Sequence, residues 1–380
     1  MDTDVIAKHN PWTIVTLLLT AILLNGPAIA SSKHDDRNDA KRTAEVNRLL
    51  PDIIPPNIVY VGEAHSDWGY HLNQLAVIKA LVSRGLKVAV GFEMIQQPFQ
   101  KVLDAYREDR IDFSQLLEKT EYFDRWRYDP RLYQPVFSYA RQHGLPLVAL
   151  NASKELAARV SEVGIDGLDD HERSELPKKI NPPSPAYREL LEAVFREHAG
   201  NDVSDLETFI DVQRTWDEVM GATASEFLSS HPDHIMVVLA GIQHVADGFG
   251  IPSRVKSDMG LDGVIVLSER ERSAHHADVF LNIEDSELPS PGRMGVLIDP
   301  SSDGVIISGF ATNSPAEKAG ARTNDRIVRI NEREIYSYAD IRLALWNKNP
   351  GDPVVVDIVR DNDKTDDGGD VRQQLWFELN

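Results

Sequence analysis

The sequence predicts an α/β fold, in which helices cover both faces of a mainly parallel sheet, followed by a small β-rich domain. Three short runs of β-branched and aliphatic residues end on polar side chains, at Ile58–Val61, Val88–Phe92 and Ile235–Ala240. Helical stretches separate these runs, as in a parallel sheet whose strands are buried on both faces. In the last quarter of the chain, short strands between turn residues replace this alternation, which indicates a second, β-rich domain.

The first 30 residues are typical of a secretory signal peptide. An apolar run over residues 12–24 follows the basic Lys8 and precedes Ala28-Ile29-Ala30, which has the small-x-small form of a signal-peptidase site. The run is shorter than the roughly 20 residues that a bilayer-spanning helix needs. We therefore expect residues 1–30 to be removed, leaving an exported, soluble protein in the periplasm without a permanent membrane span.

A polar linker over residues 31–50 is expected to precede an α/β domain over residues 51–270. After the first strand, the predicted elements are a helix over 68–84, the strand at 88–92, a helix over 133–143, a strand over 146–150, a helix over 205–230, the strand at 235–240 and a strand over 264–267. This alternation is the signature of a mainly parallel sheet covered on both faces. Between Asp166 and Gly200 the pattern breaks down, so this stretch is either a lid over the sheet edge or a tolerated surface insertion.

A linker over residues 271–292 separates the two domains, and the β-rich domain covers residues 293–380. Its strands are predicted at 295–298, 304–307, 327–330, 354–359 and 374–379. A short helix is predicted over Ser314–Gly320 and a longer one over Tyr338–Trp346.

Composition and charge narrow the classes of partner. The sequence is 26% charged and 42% hydrophobic, as ordinary globular proteins are. Its formal net charge of -20 would repel a phosphate backbone, so we expect no nucleic-acid partner. It has no cysteine, which excludes structural disulfides, thiolate zinc sites and covalent haem attachment through Cys-x-x-Cys-His.

Ligand-grade side chains follow the three apolar runs. Glu63 and His65 come after the first run, and Glu93 comes after the second; His244 follows the third. Ligands bind beyond the carboxyl ends of the strands in open parallel sheets, so we expect these side chains to form one site. Histidine and carboxylates bind first-row metals. A divalent transition metal on His65, Glu93 and His244, with Glu63 as a further ligand or general base, would give a metal-dependent hydrolase.

A structural interpretation stays open beside the chemical one. A histidine at a strand end can cap the following helix or bond a backbone carbonyl. Two such histidines together with Glu93 favour a site, because buried carboxylates are costly unless they are paired. A scaffold whose strand-end polar residues bind nothing is therefore kept as a third hypothesis.

Several motifs resemble those of the ChaN-like haem-binding uptake proteins, which belong to a wider group that includes the Tiki and TraB proteins. They are Gly62-Glu63-Ala64-His65, Tyr70, His71, Gln74, Gly91-Phe92-Glu93, Trp126, Tyr133, Pro135, Leu150-Asn151, Gln213, Trp216-Asp217, Met220, Gly241-Ile242-Gln243-His244 and Gly250-Ile251-Pro252. The resemblance covers about Pro51 to Leu267. Its shared marks are two Gly-x-x-His motifs and a glutamate after the second strand.

This resemblance implies haem binding and iron uptake for the ChaN branch, and metal-dependent peptide cleavage for the Tiki branch. A non-covalent haem site needs an axial ligand, for which Tyr, His and Met serve. Arginine is suited to pair with the haem propionates. The candidate iron ligands here are Tyr70, His71, His65 and His244, and the candidate propionate partners are Arg125 and Arg127.

The last domain resembles bacterial PDZ domains of the kind attached to periplasmic proteases. The likeness rests on the order of its elements and on Ser314–Gly320, Asn324–Ile327 and Asn331–Ile335. Such domains bind an extended peptide, often the C-terminus of a protein, as an added strand. The resemblance implies a carboxylate-receiving loop of Arg293, Met294, Gly295 and Val296, and a groove lined by Val296, Ile298, Ile341 and Leu345.

We therefore predict an exported protein that binds haem in its α/β domain and a peptide or protein C-terminus in its PDZ-like domain. The alternative is a divalent-metal-dependent peptidase of the Tiki/TraB type, in which the PDZ-like domain would present peptide ends to the two Gly-x-x-His motifs. We also expect that the protein can form a homodimer.

Overall fold

A computed structural model of the protein describes residues 36–50, 57–199, 206–283, 286–299, 304–360 and 371–380. The predicted signal peptide lies outside these residues, as does the start of the predicted linker. Within the described ranges, no helix is long and apolar enough to cross a bilayer. The protein divides into two compact units, Met1–Arg110 with Ser138–Asp285, and Ile111–Phe137 with Ser286–Asn380.

Six strands of the first unit form one sheet. They are β1 (Ile58–Glu63), β2 (Lys87–Gln96), β3 (Leu147–Asn151), β4 (His234–Gly241), β5 (Val264–Ser268) and β6 (Val279–Leu281). Their order across the sheet is β3-β2-β4-β1-β5-β6, and all neighbouring pairs are parallel. The predicted mainly parallel sheet is therefore confirmed.

Helices separate the strands along the sequence. Up to residue 259 they are α1 (Asp36–Leu49), α2 (Trp68–Ser83), α3 (Gln100–Arg107), α4 (Phe113–Lys119), α5 (Tyr122–Arg125), α6 (Gln134–Gln142), α7 (Lys154–Val163), α8 (Asp170–Ser174), α9 (Pro185–Ala199), α10 (Leu206–Ser230), α11 (Ile242–Val245) and α12 (Ile251–Met259). Of these, α4 and α5 lie in the second unit. Every residue of β1 is buried, as expected for a central strand that is covered on both faces.

Helix α1 (Asp36–Leu49) occupies most of the stretch that the sequence indicated as a polar linker, so this part of the stretch is helical. Val46 on the helix and Leu50, the residue that follows the helix, are both buried, and the Leu50 N–H donates to the Val46 backbone oxygen at 2.9 Å. The Arg84 side chain donates a hydrogen bond to the backbone oxygen of Asn47 at 2.6 Å. The sequence of this helix contains few apolar and many charged residues, so it shows no clear apolar stripe.

The stretch after Asp166 is held against the domain by a buried ion pair. Arg254 on α12 pairs with Glu218 on α10, and the Arg254 guanidinium also donates to the backbone oxygen of Lys179. The Glu218 carboxylate accepts the backbone N–H of Asn181 at 3.1 Å. This part of the excursion is therefore anchored to α10 and α12 through residues 179–181.

Strand β3 lies at one end of the sheet order, and its outer backbone groups are covered by the side chain of Gln100. The Gln100 amide donates to the Leu147 carbonyl at 2.9 Å and accepts the Ala149 N–H at 2.8 Å. This single amide thus supplies the two hydrogen bonds that a further strand would supply. Covering an edge in this way protects it from pairing with another strand.

The second unit contains an antiparallel sheet. Its strands are β7 (Val296–Asp299), β8 (Val305–Phe310), β9 (Arg326–Ile330), β10 (Arg333–Glu334), β11 (Pro353–Arg360) and β12 (Val371–Glu378), and its C-terminal helices are α13 (Pro315–Lys318) and α14 (Tyr338–Leu345). The order is β12-β11-β9-β8-β7, and β10 pairs with β9. This small β-rich architecture fits the predicted PDZ-like domain.

A candidate ligand site at the carboxyl edge of the parallel sheet

Glu63 and His65 form a pair at the end of β1. Strand β1 ends at Glu63, and α2 begins three residues after His65, where the Asp67 side chain accepts the Gly69 N–H. The His65 Nδ1 atom lies 2.8 Å from Glu63 Oε1. The Glu63 side chain is fully buried, whereas that of His65 is 26% exposed. The buried carboxylate therefore orients a ring that reaches the surface.

Residues in the first turns of α2 hold the Glu63 carboxylate through the oxygen that does not contact His65. Gln74 donates a hydrogen bond to Glu63 Oε2 at 2.5 Å, and Gln74 Oε1 lies 3.1 Å from His71 Nδ1. The other ring nitrogen of His71 lies 3.1 Å from the backbone oxygen of His65. His71 is buried, and both of its ring nitrogens face oxygens of the protein. Its place in the structure is that of a support for the Glu63–His65 pair.

A second pair, Glu93 and His244, comes from β2 and the short helix after β4. Glu93 Oε2 accepts the Gly241 N–H at 2.6 Å, and Glu93 Oε1 lies 3.4 Å from His244 Nε2. On its other side, His244 Nδ1 lies 2.7 Å from Asp217 Oδ1. Tyr187 on α9 donates its hydroxyl proton to Asp217 Oδ2 at 2.5 Å. The result is a buried series of contacts from Tyr187 to Glu93, made of two hydrogen bonds to Asp217 and an ion pair between His244 and Glu93.

The carboxylates raise the pKa of both histidines. Burial lowers the pKa of His244, but the charges of Glu93 and Asp217 outweigh burial and raise it to about 9. Burial likewise lowers the pKa of His65, but the hydrogen bond that its ring donates to Glu63, together with the charges of Glu93 and Glu63, outweighs burial and raises the pKa. The neighbouring acids therefore stabilise the protonated form of each ring more than water does for an isolated histidine.

The two pairs meet at Gly241. A Cβ atom on Gly241 would lie 2.9 Å from His65 Cε1 and 3.6 Å from His244 Cδ2. Glu63 and Gly241 are also partners in the β1–β4 register, which sets the ends of both strands at the same level. The sequence prediction that the first and third runs end together is consistent with this register. Glycine permits the His65 ring to lie against the backbone here.

The described residues contain no group of three or more His, Cys, Asp or Glu side chains arranged to hold a metal ion. The predicted metal ligands Glu63, His65, Glu93 and His244 are close together, but their contacts join carboxylates to rings. Glu93 accepts from the Gly241 amide, and His244 stands between Glu93 and Asp217. The arrangement orients rings with buried acids, as carboxylate–histidine supports do in proteins.

The other candidate haem contacts lie in different surroundings. Tyr70 on α2 is buried and donates its hydroxyl proton to Glu271 at 2.5 Å; burial and that contact raise its pKa. Arg125 pairs with Glu121 one helical turn earlier, and Arg127 adopts a positive φ of 73°. Both arginines belong to the second unit, whereas the two acid–histidine pairs belong to the first.

Three supporting residues received no role from the sequence. Gln74 and Asp217 were part of the motif resemblance, and Tyr187 lies in the stretch where the helix pattern broke down. Gln74 lies among the buried residues of α2, together with the polar side chains of His71 and Asn73. Asp217 is likewise buried on α10. Both are costly unless they have partners, so their burial marks them as members of a site.

The second unit places the predicted carboxylate-receiving loop before β7. Gly295 has a φ of +76°, and a Cβ there would lie 2.8 Å from Ser314 Cα, so the turn requires glycine. The Arg293 amide donates to the Asn380 oxygen at 2.9 Å. Within the part of the protein that the structure describes, the amides of Met294 and Gly295 donate to no acceptor.

The predicted groove residues lie around the core of the β-rich domain. Strand β7 is at the end of the sheet order and pairs with β8. Val296, Ile298 and Leu345 are partly buried and pack against the core, whereas Ile341 is fully within it. Leu297 points away from them and is 54% exposed.

Comparison with known families places two matches on this protein. Residues 49–255 match the family model described as haem-binding uptake, Tiki superfamily, ChaN. Residues 292–366 match the PDZ domain model. The first match covers more than half of the sequence, and the second falls on the antiparallel unit.

Curated relatives are similar to part of the sequence. The Do-like serine protease HtrB of Bacillus subtilis is 34% identical over 114 residues, which are 30% of this chain and 25% of that protein. The serine endoprotease DegS of Haemophilus influenzae is 35% identical over 72 residues, 18% of this chain and 21% of that protein. The present sequence thus spans a quarter or less of the length of these two relatives.

Two solved structures are similar to parts of this protein. ChaN of Campylobacter jejuni, described as binding haem cofacially, shares 17% identity and covers 58% of this chain and 85% of its own, with a TM-score of 0.46. The HtrA-type protease AlgW with a decapeptide shares 18% identity and covers 24% of this chain and 30% of its own, with a TM-score of 0.20.

Proposed function

From the premise that this protein belongs to the ChaN family of haem-binding uptake proteins, in the Tiki superfamily, and has a PDZ domain, we propose two binding functions. The α/β domain binds haem at the carboxyl edge of its parallel sheet, with His65 as the iron ligand. The PDZ domain binds a peptide or protein C-terminus beside β7. Together they make an iron-uptake protein that is recruited to a protein partner.

The partial exposure of His65 carries the haem proposal. Of the three histidines at this edge, His65 has the most exposed side chain, at 26%, against 0% for His71 and 11% for His244. Its Nδ1 atom contacts a carboxylate that is itself fixed by Gln74. A hydrogen bond of this kind at one nitrogen orients the ring and makes its other nitrogen a better ligand. His65 is therefore the most accessible of the three rings to a ligand, and Glu63 holds its orientation.

This set of side chains fits haem because haem needs only one or two iron ligands from the protein. The porphyrin supplies four nitrogens, and the iron that it carries accepts one or two axial ligands from the protein. One oriented imidazole meets that requirement. Trp216 lies edge-on to His244 with ring centroids 6.2 Å apart and adds apolar surface beside the two acid–histidine pairs.

The remaining candidates take other parts in the proposal. Tyr70 is assigned to a different contact, because its hydroxyl group donates to the Glu271 carboxylate at 2.5 Å. His71 supports Glu63 through Gln74, and His244 is held between Asp217 and Glu93.

A haemin titration followed at the Soret band tests the haem proposal. We expect saturable binding by the wild-type protein and at least about tenfold weaker binding by His65→Ala, since a tenfold change corresponds to only about 1.4 kcal/mol. His143→Ala is the matched control, because this exposed histidine contacts only the Tyr139 backbone oxygen among the contacts described for its ring nitrogens. Equal affinities for wild type and His65→Ala would contradict the assignment.

The peptide proposal rests on the loop before β7. The Met294 and Gly295 amides have no acceptor among the described residues, and consecutive amides in such a turn attract anions. Strand β7 offers its outer backbone groups to an added strand, and Val296, Ile298 and Leu345 offer apolar surface beside it. The Arg293 amide already binds the Asn380 oxygen, so Met294 and Gly295 are the receiving groups.

A fluorescein-labelled decapeptide of Ala and Ser that ends in valine tests this site, with its amidated form as control. We expect the free carboxylate to bind and the amide to bind at least about tenfold more weakly. Val296→Glu should abolish binding, whereas the neighbouring Leu297→Glu should not, since Leu297 points away from the groove. Similar binding of the acid and amide peptides would contradict carboxylate capture.

Export to the periplasm and a homodimer belong to the same proposal. Cell fractionation of the full-length protein, with the N-terminus of the exported form sequenced, tests cleavage after residue 30. Sedimentation of the mature protein with and without haemin tests the dimer.

A further inference from the structure

We infer that peptide binding beside β7 is coupled to the α/β domain through residues 111–137, which dock on helix α14. This segment lies in the sequence between β2 and β3 of the parallel sheet, yet it belongs to the same compact unit as the PDZ domain. The inference rests on the proposed function, since it concerns the regulation of the two binding sites proposed above.

Aromatic contacts hold the segment to α14 and to the residue that follows it. Phe113 on α4 packs edge-on against Trp346, with ring centroids 5.3 Å apart. The Trp346 Nε1–H donates to Ser114 Oγ at 3.0 Å. The Arg342 guanidinium lies 4.8 Å from the centre of the Phe123 ring on α5. These contacts come from two helices of the segment and involve Arg342 on α14 and Trp346, which directly follows α14.

An ion pair adds a contact beside α14. The Arg333 guanidinium on β10 lies 2.9 Å from the Glu118 carboxylate on α4, and 3.8 Å from Asp340 in the first turn of α14. Arg333 therefore stands between the segment and the helix. Charge and aromatic packing together tie the position of α4 to that of α14.

Helix α14 is contacted on two sides. Ile341 packs in the core of the domain, and Leu345, one turn later, packs beside it at the proposed groove. Arg342 and Trp346 follow these two residues directly, and successive residues of a helix lie about 100° apart around its axis. The side of α14 that contacts the segment therefore lies next to the side that faces the groove. A bound peptide that shifts α14 or restricts its motion therefore affects the groove and also the contacts with residues 111–137.

The backbone connections carry the effect to the α/β domain. The segment begins after α3, which follows β2 with its Glu93, and it ends within α6, which leads to β3. Strands β2 and β3 are neighbours in the parallel sheet. A change in the position or mobility of 111–137 thus reaches two adjacent strands at their connections.

Thermodynamic linkage makes this coupling reciprocal. If the peptide changes the affinity for haemin by some factor, haemin changes the affinity for the peptide by the same factor. Couplings of this kind are typically about fivefold to 150-fold. We expect each ligand to change the dissociation constant of the other at least about fivefold in the mature protein with both domains.

Amide hydrogen exchange of the mature protein tests the first step without haemin. Addition of the valine-terminated decapeptide should change exchange in 113–125, and the amidated peptide should not. Trp346→Ala should abolish that change, whereas Trp376→Ala, which removes a 63% exposed tryptophan from β12, should preserve it. Arg342→Ala is a second, milder variant in case Trp346→Ala does not fold. Amide exchange rates in 113–125 that are the same with and without bound peptide would overturn the inference.

Haemin titrations with and without saturating peptide test the second step. A change of at least about fivefold in the haemin dissociation constant that disappears in Arg342→Ala and persists in Trp376→Ala supports the coupling. Identical haemin affinities with and without bound peptide overturn it and leave both binding functions intact. Failure of the wild-type protein to bind haemin or the peptide alone instead overturns the proposed function, and the inference with it.

Discussion

The buried charge of His244 predicts a specific dependence of stability on pH. Glu93 and Asp217 raise the pKa of His244 to about 9 in the folded protein, against 6.5 for an unperturbed histidine. A group whose pKa is raised by folding stabilises the folded state fully below its unfolded value. That stabilisation is lost as the pH rises from about 6.5 through about 9. A shift of this size corresponds to about 3 kcal/mol in the free energy of unfolding.

Urea unfolding of wild type and His244→Gln at pH 6, 7.5, 9 and 10 measures this contribution. The difference between the two proteins cancels the other titrating groups, so it should fall by about 3 kcal/mol between pH 6 and pH 10. The glutamine keeps a polar side chain of similar size but cannot take up a proton. A difference that stays constant across this range would refute the assignment of a charged His244 between Glu93 and Asp217.

Three further substitutions test the neighbouring structure. Tyr187→Phe removes the hydrogen bond to the buried Asp217 carboxylate and should lower the free energy of unfolding by about 1.5–3 kcal/mol, measured by urea unfolding; a loss below about 0.5 kcal/mol would speak against that bond. Gly241→Ala places a Cβ 2.9 Å from His65 Cε1, so haemin binding should weaken while the circular dichroism spectrum is unchanged; normal affinity would show that this contact does not position the ring. Gln100→Ala removes both hydrogen bonds to β3, so it should lower the free energy of unfolding by about 1–3 kcal/mol and increase light scattering on storage. Gln115→Ala is the control, because this residue caps a helix on the surface, and it should not aggregate.

The parallel sheet could be predicted because its strands are local features of the sequence. The runs that end at Val61, Phe92 and Ala240 are short, apolar and separated by helices, and all three lie in the parallel sheet. The polar residues directly after them were therefore assigned to one edge. The structure brings Glu63 to His65 and Glu93 to His244 there.

The supporting residues could not be predicted in the same way, because their partners are distant in the sequence. Tyr187 and Asp217 are on different helices, α9 and α10, and neither follows a strand. The grouping of 111–137 with the PDZ domain likewise depends on contacts such as Ser114 with Trp346, which are 232 residues apart. Periodicity describes one element at a time and contains no information about such pairings.

Magnetic resonance of the haem complex can identify the iron ligand. We would record the electron paramagnetic resonance spectrum, with nitrogen hyperfine resolution, of the ferric haem complex prepared with natural and with ¹⁵N-labelled histidine. We expect a hyperfine coupling that changes with the label in the wild-type protein and is absent from His65→Ala. A spectrum that is insensitive to histidine labelling, or one that keeps the coupling in His65→Ala, would contradict the assignment of His65.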